Sequence, residues 1–322
     1  MEYLYGIYLA AIVLFVLCLT VTSSYIFTYV TRRSHNSLFY QPYSQDIIKK
    51  NYMLALVFFE TPTILAAIAG FFMMSLLKSS LGYVGILILI YSVCMIVIAC
   101  ATQYASNNIA KKFFRVFAAQ PLYASANQNA FLVYLSIIQT PLLLSMIALL
   151  MGCNHAKDLI ESGMSYMNVI FLSGLLIGLV SAGVGAIGGI VRISNAYTDV
   201  VEFHPGVIKS LIPRTILSIG LVEAPVIFSL LVYIILYKGV YNDSVIHLYG
   251  IIVSAIIFGV TAGISSYLSG KSAGDVIVYN TDEANIKRFS SIALFSQMLI
   301  DTRVLYLFII IIFCIVHSGL LR

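Results

Sequence analysis

Four polar side chains recur at one place inside apolar stretches of the chain: Glu60, Gln139, Glu223 and Asp301. They are 79, 84 and 78 residues apart, and their surroundings read LVFFETPTIL, LSIIQTPLLL, IGLVEAPVIF and QMLIDTRVLY. A charge at the centre of a bilayer costs at least about 2.5–3.5 kcal/mol on insertion scales. A single buried acid could stay protonated and hydrogen-bonded to a neighbouring helix, but recurrence at one depth points to a shared task. Removal from water favours the neutral form of a carboxyl, and a fixed cation nearby favours the ionised form. A carboxyl moved between those two settings takes up an ion in one and releases it in the other. Glu60, Glu223 and Asp301 can do this; Gln139 keeps the shape and hydrogen bonding without the charge.

The elements that position these groups are also repeated. Pro62, Pro141 and Pro225 each stand two residues after the polar position, and each follows a loop proline (Pro42, Pro121 and Pro205) by 20 residues. The fourth segment has Arg303 at the helical-proline position and no loop proline. Apolar runs at roughly 3–30, 51–77, 82–110, 128–153, 167–191, 210–237, 245–270 and 289–318 are each long enough for a membrane helix of about 20 residues. The reading is an all-α membrane protein of eight transmembrane helices in four tandem hairpins, spanning 1–80, 81–155, 156–240 and 241–322.

Composition agrees. Of 322 residues, 61% are hydrophobic and 10% charged, with a mean hydropathy of +0.99; soluble domains are near 25% charged. No segments of short alternating polarity suggest a β-barrel. Thirteen of the eighteen basic residues fall in the loops within hairpins, against Lys78, Lys157 and Lys238 between them. The positive-inside rule puts the hairpin loops on the cytoplasmic side and both termini opposite. These short basic loops do not suggest nucleic acid binding. The first apolar run is too long for a signal peptide and lacks a basic start. Five cysteines without a CxxC pattern give no disulfide or zinc framework. Small residues four apart, Gly174–Gly178, Ser181–Gly185–Gly189 and Ala255–Gly259–Gly263, line helix faces that allow close packing.

In these features the chain resembles the proteolipid c subunits of rotary ATP synthases and V-type ATPases. The third hairpin carries the likeness best: GLVSAGVGAIGGIVRISNAYTDVVEFHP, then SIGLVEAPVIFSLLVYIIL. It has the glycine-rich first helix, the polar loop ending in proline, and the carboxylate in the second helix. Pro205 precedes Glu223 by 18 residues, the family's loop-to-acid spacing. Gln41–Pro42 and Gln120–Pro121 are similar to the family's loop Arg-Gln-Pro without its arginine, and His204–Pro205 stands there in the third hairpin. The resemblance implies assembly into a c-ring, a homo-oligomer with first helices inside and acid-bearing second helices outside. It implies a stator a-type subunit whose arginine meets each carboxylate, and central-stalk subunits docking on Gln41, Pro42, Gln120, Pro121, His204 and Pro205. By position, Glu60, Glu223 and Asp301 are the ion carriers and Gln139 the inactive equivalent.

Sodium-binding members place a hydroxyl after the acid, a tyrosine one turn on and a polar partner in the first helix. Thr61, Thr302, Tyr306, Ser23, Ser24, Ser265 and Ser266 are the candidates here, while Glu223 is followed by Ala224. These mixed signals favour H+ over Na+. No cofactor is implied, no phosphate-binding loop is present, and the chain reads as a non-catalytic subunit. Two readings from other classes stay open: a repeat-built secondary transporter with midplane acids, and a structural proteolipid that carries no ions.

Overall fold

The computed structural model describes residues 2–77, 83–162, 166–237, 245–279 and 283–317. They form α1 (Glu2–Tyr40), α2 (Gln45–Leu77), α3 (Tyr83–Ala119), α4 (Ala124–Ile137), α5 (Thr140–Ser162), α6 (Tyr166–Phe203), α7 (Ile208–Tyr237), α8 (Val245–Val278) and α9 (Glu283–His317). The described residues are all-helical, and they supply eight spans long and apolar enough to cross a membrane, with α4 and α5 sharing one. A helix meets its backbone hydrogen bonds internally, which hydrocarbon requires. This is the build of an integral membrane protein.

The helices run further than the apolar stretches: α1 continues ten residues past Val30, to Tyr40. Nothing in that polar segment breaks a helix until the residue before Pro42, which the proline ring pushes out of helical geometry. Gln41 has φ −139° and ψ 78°, Gln120 −128° and 68°, and His204 −129° and 69°. Each proline then opens a one-turn 3-10 helix leading into the next helix. Three similar turns thus come from the three loop prolines. The sequence boundary at 155 falls inside α5, which runs through Gly152 to Ser162 with no glycine or proline between 155 and 162. The boundaries at 80 and 240, with Lys78 and Lys238, lie outside the described residues.

The helices pack in two rows. One row is α1, α3, α6 and α8, each against the next; the other is α2, α4–α5, α7 and α9. Each helix of the second row also packs on its chain predecessor in the first, and α2, α5 and α7 reach the following first-row helix as well. Substantial contacts of α1 are with α2 and α3, and those of α9 with α7 and α8, so among the described residues both ends of the double row are open. The closest approach joins α6 to α8. A Cβ on Gly178, Gly189 or Gly263 would fall against the backbone of Ala255, Ser266 or Ser181. Gly259 meets Gly178, Gly185 meets Gly263, and Gly270 meets Gly189. The small-residue faces read from the sequence are therefore the α6–α8 contact.

Candidate functional site

The polar position lies on the second row in all four cases, but its surroundings differ. Asp301 is 9% exposed, and neither carboxyl oxygen has a hydrogen-bond partner among the described residues. Glu223 is half-buried, its Oε1 without a hydrogen-bond partner among the described residues, and the Thr140 hydroxyl at the start of α5 comes within reach of its carboxyl. Gln139 is 3% exposed; its Nε2 donates to the Phe58 carbonyl on α2 and to Ser106 Oγ on α3, both at 3.2 Å. Glu60 is exposed, at the mouth of a cavity of about 210 Å³ that Thr20, Ser23, Ser24 and Thr63 also line.

Helix period explains the orientation. Successive side chains turn by about 100°, so positions two before and two after the polar residue lie about 160–200° away from it. Gln139 and Glu223 point back to the preceding pair of helices. The opposite side points forward: Phe58 offers its carbonyl to Gln139, and Pro141 would meet a Cβ on Gly183 of α6. On α9, Gln297 is one turn before Asp301 and donates to the Ser218 carbonyl of α7, which places that side of α9 against the preceding pair too.

A small residue of the first row stands beside each polar position. Ser23 Oγ donates to the Phe59 carbonyl at 3.4 Å, and Ser265 Oγ to the Ile300 carbonyl at 3.3 Å; each carbonyl belongs to the residue before the acid. Ser106 meets Gln139 itself. On α6, Gly189 stands against Val222, the residue before Glu223.

The other hydroxyl candidates differ in their partners. Thr61 Oγ1 donates to the Val57 carbonyl, Thr302 Oγ1 to that of Met298, and Ser24 Oγ to that of Thr20, the usual back-bond of a helical hydroxyl. Tyr306 is exposed, about 140° around the helix from Asp301. Ser266 is buried beside Gly189, and its hydroxyl has no hydrogen-bond partner among the described residues. Ser106, Thr140 and Gln297 were not singled out from sequence. Gln297, an amide four residues before Asp301 in an apolar run, carried the clearest signal.

Proline shapes the polar position locally. In the second pair the helix breaks at Ile138–Gln139, where Gln139 N–H bonds the Ser136 carbonyl, just before Pro141. The helix continues through Pro62 and Pro225. Ser145 and Ser229 donate to the carbonyls of Pro141 and Pro225.

At the turn end, Lys112 and Arg115 of α3 bind Asp199 of α6 at 2.6 and 3.3 Å, and Arg115 also pairs with Glu202. Gln120 Nε2 donates to the Glu202 carbonyl at 2.8 Å, tying two turns together. Around them Tyr40, Tyr43, Leu122 and Phe203 project from the turns, all strongly exposed. A groove of about 730 Å³ between α1 and α3 holds Tyr25, Gln103, Tyr104 and Lys111; Thr22 donates to Gln103 Oε1 at 2.6 Å, and Gln103 Nε2 has no partner among the described residues.

Comparison with protein-family models, curated proteins and solved structures finds no match for the chain.

Proposed function

We propose that the protein is an ion-translocating rotor subunit of a membrane-embedded rotary ATP synthase or ATPase, carrying protons. In this reading the two rows are four tandem hairpins that join further copies in a c-ring, with the second row outside. The observation that carries it is the recurrence of an ionisable or amide side chain on the second row, each beside a small first-row residue and, in the last three, turned to the preceding pair. Such a carboxyl sits between neighbouring outer helices, where it can be neutral against lipid and can meet a stator arginine as the ring turns. Burial with few hydrogen-bond partners, as at Glu223 and Asp301, suits a neutral carboxyl. Glu223 is followed by Ala224, and Tyr306 is turned away from Asp301, which favours H+ over Na+, since sodium needs several oxygen ligands.

The exposed aromatic and aliphatic side chains at the turns fit a docking surface for central-stalk subunits. The basic residues there favour the cytoplasmic side for that surface. Gln139 is held by two donated hydrogen bonds and serves as a spacer. The chain has no catalytic part in this scheme; nucleotide chemistry belongs to partner subunits.

Dicyclohexylcarbodiimide reacts with protonated carboxyls and tests the reading on the purified assembly. Glu223 and Asp301 are expected to be modified, faster as pH falls, with no protection by sodium. Protection by low sodium at fixed pH would reverse the choice of ion. No modification at either residue would remove ion carriage.

A further inference from the structure

Two charged groups at membrane depth have no place inside one copy of the chain. At the polar position, Gln139 and Asp301 are buried and Glu223 half-buried, while Glu60 is exposed. Two residues further on, Pro62, Pro141 and Pro225 are buried, while Arg303 is exposed. One geometry explains both exceptions. The polar position faces the preceding pair, and the position two residues later faces the following pair, as Pro141 against Gly183 illustrates. The first pair has no predecessor and the fourth has no successor.

The azimuths agree on each side. On α1, Thr22 faces α3 through Gln103, while Thr20 and Ser24 lie about 160–200° around the helix and line the Glu60 cavity. Glu60 thus opens away from α3. On α9, Gln297 and Phe308 face α7, the latter against Phe228 at 5.3 Å between ring centroids. Arg303 lies on the other side of that helix, away from Asp301, whose two oxygens have no hydrogen-bond partner among the described residues.

We infer that the α8–α9 end of one copy docks on the α1–α2 end of the next, and that Arg303 of the first copy forms an ion pair with Glu60 of the second. This rests on the ring reading and deepens it: the seam between chains is marked by a charge pair beside the polar position, whereas the internal α3–α6 seam carries its pairs, Lys112 and Arg115 with Asp199 and Glu202, at the turn end. Register supports the match. Thr140, the residue after the polar position in the second pair, comes within reach of Glu223 in the third. Thr302 and Arg303 hold the corresponding places for a Glu60 that follows. The charges are opposite, and both are costly in hydrocarbon unless paired. Internal seams have proline where this one has arginine, so the pair gives the chain ends a distinct code. It also takes Glu60 out of the carriers and leaves Glu223 and Asp301, because a carboxylate held by a guanidinium stays ionised.

The test is charge exchange in the full chain, read by native mass spectrometry of the detergent-solubilised assembly. Glu60→Arg alone and Arg303→Glu alone are expected to reduce the assembly to single chains, and the double variant to restore it. Assembly unchanged in either single variant, or not restored in the double, overturns the pairing. A second arm needs no charge reversal. Glu60 is expected to resist dicyclohexylcarbodiimide in the native assembly and to react at least tenfold faster in Arg303→Gln. Equal reactivity of Glu60 in both overturns the pairing. Restored assembly without modification of Glu223 or Asp301 would keep the seam and refute ion carriage. Their modification without a charge-exchange effect would do the opposite.

Discussion

Gln139 Nε2 donates to the Phe58 carbonyl at 3.2 Å, joining α2 to the break between α4 and α5. Of the four polar positions, this one is held by donation from an amide, and Ser106 takes a second bond from the same nitrogen. A carboxylate there would put negative charge against a carbonyl lone pair. Gln139→Glu is therefore expected to lower thermal stability by about 1–3 kcal/mol, the usual cost of a buried polar group left unsatisfied. Protonated, the new acid could donate one bond to Phe58, so the loss should shrink as pH falls. Thermal unfolding of the detergent-solubilised variant at pH 5 and pH 8 checks both parts.

That contrast marks what the sequence makes legible. The proline spacing alone located the turns at Gln41, Gln120 and His204, because a proline dictates the geometry of the residue before it. The places of Glu60, Glu223 and Asp301 on second-row helices were readable in the same way, as positions counted along the chain. Which way each acid points was not, since azimuth depends on the packing of neighbours far off in sequence. Glu60 and Asp301 look alike in the sequence, yet one opens to the end of the double row and the other is buried. Thr61 and Thr302 each turn the hydroxyl proton to their own helix, a local choice that sequence leaves open.

The glycine contact between α6 and α8 should tolerate little. Gly185 and Gly259 stand against backbone, which cannot move aside as a flexible side chain can. Gly185→Leu or Gly259→Leu is expected to destabilise the fold by at least about 1–3 kcal/mol, as overpacking does. Gly220→Ala, with no described residue within 4 Å of its added Cβ, should stay within about 0.5 kcal/mol of the parent. Thermal unfolding of the three variants gives the comparison.

The cluster of Lys112, Arg115, Asp199 and Glu202 is partly exposed, and salt and solvent weaken such pairs. Asp199→Asn is expected to cost no more than about 1 kcal/mol, and less in high salt. A loss of several kcal/mol in the same unfolding measurement would mean that the cluster is sealed from water in the assembly.

Glu223→Gln and Asp301→Asn each remove one charge step while keeping shape. Each is expected to leave the assembly intact and to abolish carbodiimide modification at its own position alone. In vesicles containing the complete complex, each should lower ATP-coupled proton transport at least tenfold, whereas Thr61→Val should leave it within twofold.

Electron microscopy of the purified assembly, with averaging of views along the membrane normal, tests the central claim most directly. A rotor ring should show two concentric rows of helices, with a count of outer helices that is a multiple of four and with Glu223 and Asp301 at the waist of the outer row. A single eight-span bundle closed around an inner cavity, with no further copies, would contradict it.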